Sequence, residues 1–470
     1  MLIMVRWIGR QESPVPHTPS RTQITNALQT SIYAPLFLYA AQLLRRAGVA
    51  VGFLLLLQAP LVSAKTAADT FKGASESVFT VEIQTASDRS RNSQGSAFVV
   101  LRPNLLITNY HVVSDYVLDP EEYVVVVKDA AGEMRRAQVR AVDVVSDLAL
   151  LSTQEPIGKP LRIRESMPSK GVKGFSLGNP GGIGLTVVEG NFNGLSESAF
   201  VPVIHFSGAI NSGMSGGPAV DEAGEVVGVN TATRRGDQLI GLLSPAENVT
   251  RLLAAFSDDV VASADVLRGQ IETQVAGFSN RLAQEVLGHK TDKVVSGHFE
   301  LPSKFQKKAR CYGETEKDAT YRFKVTTNYC SLRGGIFVND ATRVGTLTVH
   351  HRRVFGEALT PSQVAAVQNK LSESDVKNSG ASIEDKTVWT CEHTRVELQA
   401  GTVGELHACQ RGLTRLKDVR DFYFLFASRP SRGEGLMTEL RFNGITHADA
   451  NKLVKHFLLQ ITEVASRSPS

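Results

Sequence analysis

The chain has 470 residues, 42% of them hydrophobic and 21% charged, which excludes a mainly disordered chain, a collagen-like repeat and a multi-span membrane protein. That length is enough for two or three domains of about 100–200 residues each. The net charge of +4 is segregated, with +4 on residues 1–64, −6 on 65–260 and +6 on 261–470, so the surplus is that of the first segment and gives no argument for binding nucleic acid.

Arg45-Arg46 precede an apolar run, Ala47 to Leu57, followed by Gln58-Ala59-Pro60-Leu61-Val62-Ser63-Ala64. A basic patch, an apolar stretch and small residues at −3 and −1 of a cut after Ala64 read as an export signal. The alternative is a retained anchor, for which the run is short and broken by Gly48, Gln58 and Pro60. A second apolar patch, Ser31 to Leu44, precedes the arginines, and the residues before about Leu43 read as an extension of no evident use. The expectation is an exported protein, periplasmic or secreted from a bacterium, with no stable membrane span in its mature form.

From Val78 to Val249 the chain reads as short β-runs between turns. Val78–Ile83, Gly95–Leu101, Leu105–Asn109, Tyr123–Val127, Gln138–Val145 and Asp147–Ser152 come first. Gly174–Leu177, Leu185–Asn191, Val203–Phe206, Gly217–Val220, Val226–Thr231 and Ile240–Ser244 follow. Many short strands with Gly, Pro and Asn punctuation and no long helix predict an all-β barrel or sandwich. Val266, Leu267, Ile271, Val275 and Leu282 then recur at helical spacing, predicting a helix over Ala264–Leu287. From about Gly297 the pattern becomes α+β, with strand runs at Tyr321–Thr327, Gly345–His350, Thr387–Cys391, Glu405–Cys409, Phe422–Ala427 and Met437–Phe442. Thr360-Pro361-Ser362-Gln363 and Thr446-His447-Ala448-Asp449 are helix starts, each with a capping hydroxyl and a polar N3 residue. The expected organisation is a leader over 1–64, a β-rich domain over 65–260, a helical linker over 261–296 and an α+β domain over 297–470.

All four cysteines, Cys311, Cys330, Cys391 and Cys409, lie in the last domain. An even count in an exported protein favours disulfides, and Cys311–Cys330 with Cys391–Cys409 is the first choice because each pair brackets a hairpin-like stretch. The competing reading is a zinc site from Cys391, His393, His407 and Cys409, since positions i and i+2 of a strand share a face.

Three motifs stand in the order His, Asp, Ser. They are Thr108-Asn109-Tyr110-His111-Val112-Val113, Ser146-Asp147-Leu148-Ala149-Leu150-Leu151 and Gly213-Met214-Ser215-Gly216-Gly217-Pro218. A serine hydroxyl is a poor nucleophile unless a base removes its proton during attack. His111 suits that base, and Asp147 suits the group that holds the imidazole tautomer and stabilises its cation. Glycines at 213, 216 and 217 let the backbone turn so that the amides of Gly213 and Ser215 form an oxyanion hole. Asp143 and Asp115 are nearby decoys, His205 reads as structural, and His350-His351 read as strand-end surface residues.

With Leu177-Gly178-Asn179-Pro180, Gly208-Ala209-Ile210-Asn211-Ser212 and Gly228-Val229-Asn230-Thr231-Ala232, these motifs resemble the trypsin-like (chymotrypsin-fold) serine proteases, nearest the HtrA group of exported bacterial proteases. The resemblance covers Val78 to Val249. It implies a chymotrypsin-like double β-barrel with the site between the barrels, acting on protein or peptide substrates through an acyl-enzyme without a metal or other cofactor. Two features depart from the group: Met214 replaces the usual Asn, and Ser207 replaces the usual Asp. No PDZ domain is recognisable. The resemblance places Ala209 at the floor of the S1 pocket with Ile210 and Leu242 as its walls, so small to medium aliphatic P1 residues are expected, because Lys or Arg would bury an unpaired charge. The alternative function is a protease-fold chaperone or binding protein that acts through its C-terminal domain. Nothing in the sequence specifies an oligomeric state.

Overall fold

Short strands whose successive side chains feed different cores close the first part of the chain into two barrels. The computed structural model describes residues 66–464 except 198, 234–239, 260–261, 319–321, 341, 357, 378–384 and 399–400. The expected leader, its Arg45-Arg46 pair and the cut after Ala64 lie outside the described residues. The first six strands are β1 (Val78–Thr85), β2 (Arg91–Val99), β3 (Leu105–Thr108), β4 (Tyr123–Lys128), β5 (Met134–Asp143) and β6 (Leu148–Thr153). They form a closed barrel in the order β1-β2-β3-β6-β5-β4. Next come β7 (Val172–Gly178), β8 (Thr186–Leu195), β9 (Ile204–Phe206), β10 (Pro218–Asp221), β11 (Val226–Thr233) and β12 (Gly241–Pro245), closed as β10-β11-β12-β9-β8-β7. Closure leaves neither sheet an open edge.

The two-residue period of a strand is visible in the burial. Leu106 and Leu151 join a core with Val81, Val99 and Val127. Their chain neighbours Leu105, Ile107 and Leu150 instead join Phe175, Leu177 and Val229 of the second barrel. The barrels therefore share one apolar seam, and the segments that carry His111, Asp147 and Ser215 lead out of it. Three short helices, α1 (Ala67–Ala74), α2 (Tyr110–Leu118) and α3 (Ala246–Ala255), carry no long apolar period and were not expected from the strand pattern.

Helix α4 (Ala264–Gly288) is buried along Leu267, Ile271, Val275, Phe278, Leu282 and Val286. These residues belong to the same core as Val139, Val142 and Val144 of the first barrel and Leu347, Phe424 and Phe442 of the C-terminal part. The expected linker is thus packed on both sides. Gln274 fastens it to the barrel, donating to Val142 O at 2.7 Å and accepting from Val144 N–H at 2.8 Å.

The C-terminal part holds a small sheet of β13 (Lys293–Ser296), β14 (Phe299–Pro302) and β22 (Thr462–Glu463). A seven-stranded antiparallel sheet contains β15 (Arg310–Asp318), β16 (Phe323–Asn339), β17 (Thr342–Phe355), β18 (Thr390–Glu397), β19 (Val403–Leu413), β20 (Leu416–Ser428) and β21 (Glu434–Thr446). Its order is β15-β16-β17-β21-β20-β19-β18. Alternation along β20 sends Phe422, Phe424 and Phe426 to the core shared with α4 and α6 (His447–Leu458). Tyr423 and Leu425 face the other way, toward Leu371 of α5 (Pro361–Lys377). Both C-terminal helices start where the capping motifs fall: Thr360 Oγ1 accepts from Gln363 N–H, and Thr446 Oγ1 accepts from Asp449 N–H.

Cys311 faces Cys330 across β15 and β16, and Cys391 faces Cys409 across β18 and β19; both pairs are disulfides. Each bond therefore staples one edge strand of the sheet to its neighbour. Those edge strands are exposed and polar, a composition that discourages pairing with other chains. Closing loops of this size stabilises a fold by about 3 kcal/mol each.

His351 does not lie at the surface. It sits within β17 and is 1% exposed, because its neighbour β14 covers that face. Its Nε2–H donates to Pro302 O at 2.7 Å and its Nδ1 accepts from the Thr438 hydroxyl at 2.9 Å. Burial pushes its pKa down to about 4. The unfolded chain binds this proton below about pH 6.5 while the folded protein refuses it until about pH 4. Stability is thus fully present above pH 6.5 and falls as the pH drops through that window, by about 3 kcal/mol. Urea unfolding at pH 7 and pH 4.5 checks this: His351→Gln should be the less stable protein at pH 7 and lose less stability than the wild type on acidification.

Candidate active site

Three segments meet between the barrels. Helix α2 begins at Tyr110, so His111 occupies its first turn. Asp147 lies immediately before β6 with φ +56°, in the left-handed region that a side chain disfavours. Asn109 holds it there, its Nδ2 donating to Asp147 O at 2.7 Å. The Asp147 carboxylate then accepts twice from His111: Oδ1 from the backbone N–H at 2.9 Å and Oδ2 from Nδ1–H at 2.7 Å. This fixes the tautomer and leaves Nε2 as the acceptor. Burial disfavours the imidazolium, but the charge and hydrogen bond of Asp147 outweigh it, so the His111 pKa lies above its ordinary value. The ring keeps 28% of its side-chain surface exposed.

The Gly213–Gly217 turn has a specific polarity. The peptide that carries Gly213 N–H has its carbonyl, Ser212 O, tied to Gly181 N–H at 3.0 Å. The peptide that carries Ser215 N–H has its carbonyl, Met214 O, tied to Gly217 N–H at 3.0 Å and to Asn230 Nδ2 at 3.2 Å. In a trans peptide the N–H points opposite to the C=O, so both N–H groups are turned away from the loop's own anchors. Among the described residues neither has an acceptor. Gly213 and Gly216 have φ of +93° and +85°. A Cβ on Gly213 would come 2.4 Å from Asn179 O, and one on Gly216 would come 2.1 Å from Ser96 O. The Ser215 hydroxyl donates to Thr231 O at 3.3 Å, and Asn109 Nδ2, which holds Asp147, also reaches Thr231 Oγ1 at 3.5 Å; among the described residues Ser215 and His111 share no hydrogen bond.

The expected S1 residues separate. Ala209 and Leu242 are half-buried. Ile210, expected as a pocket wall, is 2% exposed and packs with Phe192, Phe206 and Met214 in the second barrel's core, where its Cδ1 lies 2.5 Å from the position a Cβ on Gly241 would take. Asp143 is occupied by Ser146 N–H at 3.0 Å and Asp115 by Asn92 at 2.6 Å. Cys391 and Cys409 are joined to each other, so they offer no thiolates for zinc, and among the described residues no cluster of metal-ligating side chains is found.

Two contributors carried no local sequence signal. Ser96 on β2 is fully buried; its N–H donates to Ser215 O at 2.7 Å and its hydroxyl to Gly213 O at 2.7 Å. It thereby ties the first barrel to the serine turn. Phe337 of β16, from the C-terminal part, packs edge-on against His111 with ring centroids 5.9 Å apart.

Residues 95–229 match the model of the trypsin-like peptidase domain. A putative serine protease, HhoA, from Synechocystis is 31% identical over 210 residues, covering 42% of this chain and 50% of that protein. A probable periplasmic serine endoprotease, DegP-like, from Brucella suis is 31% identical over 201 residues, covering 41% of this chain and 37% of that protein. The chain therefore spans half or less of these curated relatives. The crystal structure of a serine endoprotease from Yersinia pestis aligns with a TM-score of 0.36 at 23% identity, over 40% of this chain and 66% of that one.

The electrostatics of His111 are open to direct measurement. Its NMR titration midpoint is expected above 6.5, and Asp147→Asn should bring it below that value, because burial then acts without the carboxylate that opposes it. A midpoint unmoved by the substitution would mean that the ion pair does not govern the imidazole.

Proposed function

We propose that this chain, which carries a trypsin-like peptidase domain, is an exported serine endopeptidase with Ser215 as nucleophile, His111 as general base and Asp147 as the group that orients it. The observation that carries the reading is the pair of N–H groups on Gly213 and Ser215. Among the described residues they have no acceptor, and an unpaired donor costs about 1–3 kcal/mol where it is buried. A scaffold that only binds protein has no use for that arrangement; an oxyanion repays it in the transition state.

The reaction follows from the polarity of the groups. In the reaction the Ser215 hydroxyl leaves Thr231 O and donates instead to His111 Nε2. With the proton directed to Nε2, Oγ attacks the scissile carbonyl, and the carbonyl oxygen becomes an oxyanion between the two N–H groups. Nε2–H then gives the proton to the departing amine as the C–N bond breaks, leaving an ester on Ser215. Water, deprotonated by the same nitrogen, hydrolyses that ester and restores the hydroxyl. Asp147 remains ionised throughout and stabilises the imidazolium formed at each step.

Ala209 supplies no carboxylate at the pocket floor and Leu242 an apolar side, which supports small to medium aliphatic residues at P1. Export is supported by two disulfides, which persist in oxidising compartments, and by the periplasmic assignment in the name of the Brucella relative. Among the described residues no helix is long and apolar enough to cross a membrane. We read residues 65–260 as the protease domain, 261–296 as its helical connection and 297–470 as an accessory domain.

A fluorophosphonate probe should label the wild type at Ser215, and Ser215→Ala should abolish labelling and lower peptide hydrolysis by about a thousandfold or more while preserving the circular dichroism spectrum. Turnover that survives the substitution would place the site elsewhere. Digestion of a peptide library should give cuts after Ala, Val or similar side chains; dominant cleavage after Arg or Lys would refute the S1 assignment.

A further inference from the structure

The helix that carries His111 is held at both ends by the C-terminal part. At its start, buried Tyr110 donates its phenol to Val338 O at 2.9 Å. At its end, Asp119 accepts from Arg415 at 2.7 Å, and the same guanidinium reaches Asp385 at 3.3 Å. Asp385 also accepts from Asn339 Nδ2 at 2.9 Å, at the tip of the β16–β17 hairpin. These contacts bring Phe337, the residue before Val338, against the imidazole.

Phe337 is itself fixed. It pairs in register with Arg343 across the hairpin, and the guanidinium lies 5.4 Å from its ring centroid. The Tyr110 ring flanks it edge-on at 6.5 Å. His111 needs such a brace, because a single bond from Nδ1 to Asp147 leaves the ring free to tilt about that bond, and the last side-chain torsion of histidine is intrinsically broad.

We propose that Phe337 is a positioning residue for His111, delivered by the C-terminal domain, which holds the imidazole in the orientation needed for proton transfer. This rests on the serine-protease reading above. The ring stands beside the site without covering it, since His111 stays partly exposed and both Ser215 and Phe337 are only half-buried. The charged groups acting on the imidazole are Asp147 from the first barrel, and Asp340 and Arg343 from the hairpin. Asp147 and Asp340 favour its cation and Arg343 opposes it; Phe337 contributes exclusion of water.

The full-length protein carrying Phe337→Ala tests this. The expected result is a kcat about tenfold lower with KM changed by less than about twofold, since misplacement of a catalytic group acts on the chemical step. Acylation by the fluorophosphonate should slow to a similar degree. The acid limb of the pH profile should move further upward, because the imidazole regains water and burial is the largest of the influences that oppose its cation. Phe337→Tyr, which keeps the ring edge, should restore all three. Phe337→Leu keeps the apolar volume for the fold but not the ring, and should resemble Ala in rate while unfolding within a few degrees of wild type. Wild-type acylation and turnover in the Ala or Leu variant overturns the proposal, as does a faster rate, which would make the hairpin a blocking element. Wild-type protein that fails to label at Ser215 refutes the protease reading instead, and the two failures are therefore distinct.

Discussion

A single carboxylate holds the site together. Asp147 accepts from both the backbone and the ring of His111, so it sets where α2 begins as well as which nitrogen carries the proton. It does so from a left-handed backbone conformation, which persists only where surrounding contacts over-determine it. Asn109 supplies one such contact from the residue before α2. His111 and Asp147 are thus coupled through two chain segments at once, and neither segment can shift without straining the other.

The serine turn is governed by a second constraint of the same kind. The N–H groups of Gly213 and Ser215 are directed by what happens to the opposite ends of their peptides, at Gly181, Gly217 and Asn230. Ser96 then binds the carbonyls of Gly213 and Ser215 from the other barrel. The proposed oxyanion site is therefore a property of the seam between the barrels. Positive φ at Gly213 and Gly216 is the local requirement that makes this possible, and Asn179 O and Ser96 O leave no space for a side chain at either position.

The parts of this architecture that depend on local pattern were legible in the sequence. All twelve barrel strands fall where β-branched runs and turn residues place them, because a half-buried strand writes its period into adjacent residues. The capping motifs at Thr360 and Thr446 mark real helix starts for the same reason. The His, Asp and Ser motifs were visible because each is embedded in a segment whose backbone has special demands. Contacts made across long separations were not legible. Ser96 is an ordinary strand serine until Gly213 is placed beside it, and Ile210 reads as a pocket wall until the second barrel's core closes over it. His351 looks like a strand-end residue unless β14 is known to cover it. Phe337 sits in a hairpin whose partner, Tyr110, is 228 residues away from Val338.

That separation bears on the way the two halves of the chain cooperate. Segregated charge, −6 on residues 65–260 and +6 on 261–470, invites an electrostatic account of their docking, yet the contacts are mainly of another kind. Helix α4 contributes one continuous apolar stripe to a core shared by the first barrel and the seven-stranded sheet, and Arg415–Asp119 is a partly exposed pair of the sort that contributes little alone. Apolar burial is not screened by salt, whereas exposed charge pairs are. The docked arrangement therefore does not rest on charge pairing alone, which suits a protein whose histidine is braced from the second half. The sheet that carries the brace is stiffened at both edges by disulfides. A catalytic group must be held to within about 0.5 Å of its working geometry, and cross-links in the sheet behind it limit how far a ring on a long hairpin can move. The disulfides, the polar edge strands and the apolar seam are together the physical conditions under which a distant domain can position a proton-transfer residue.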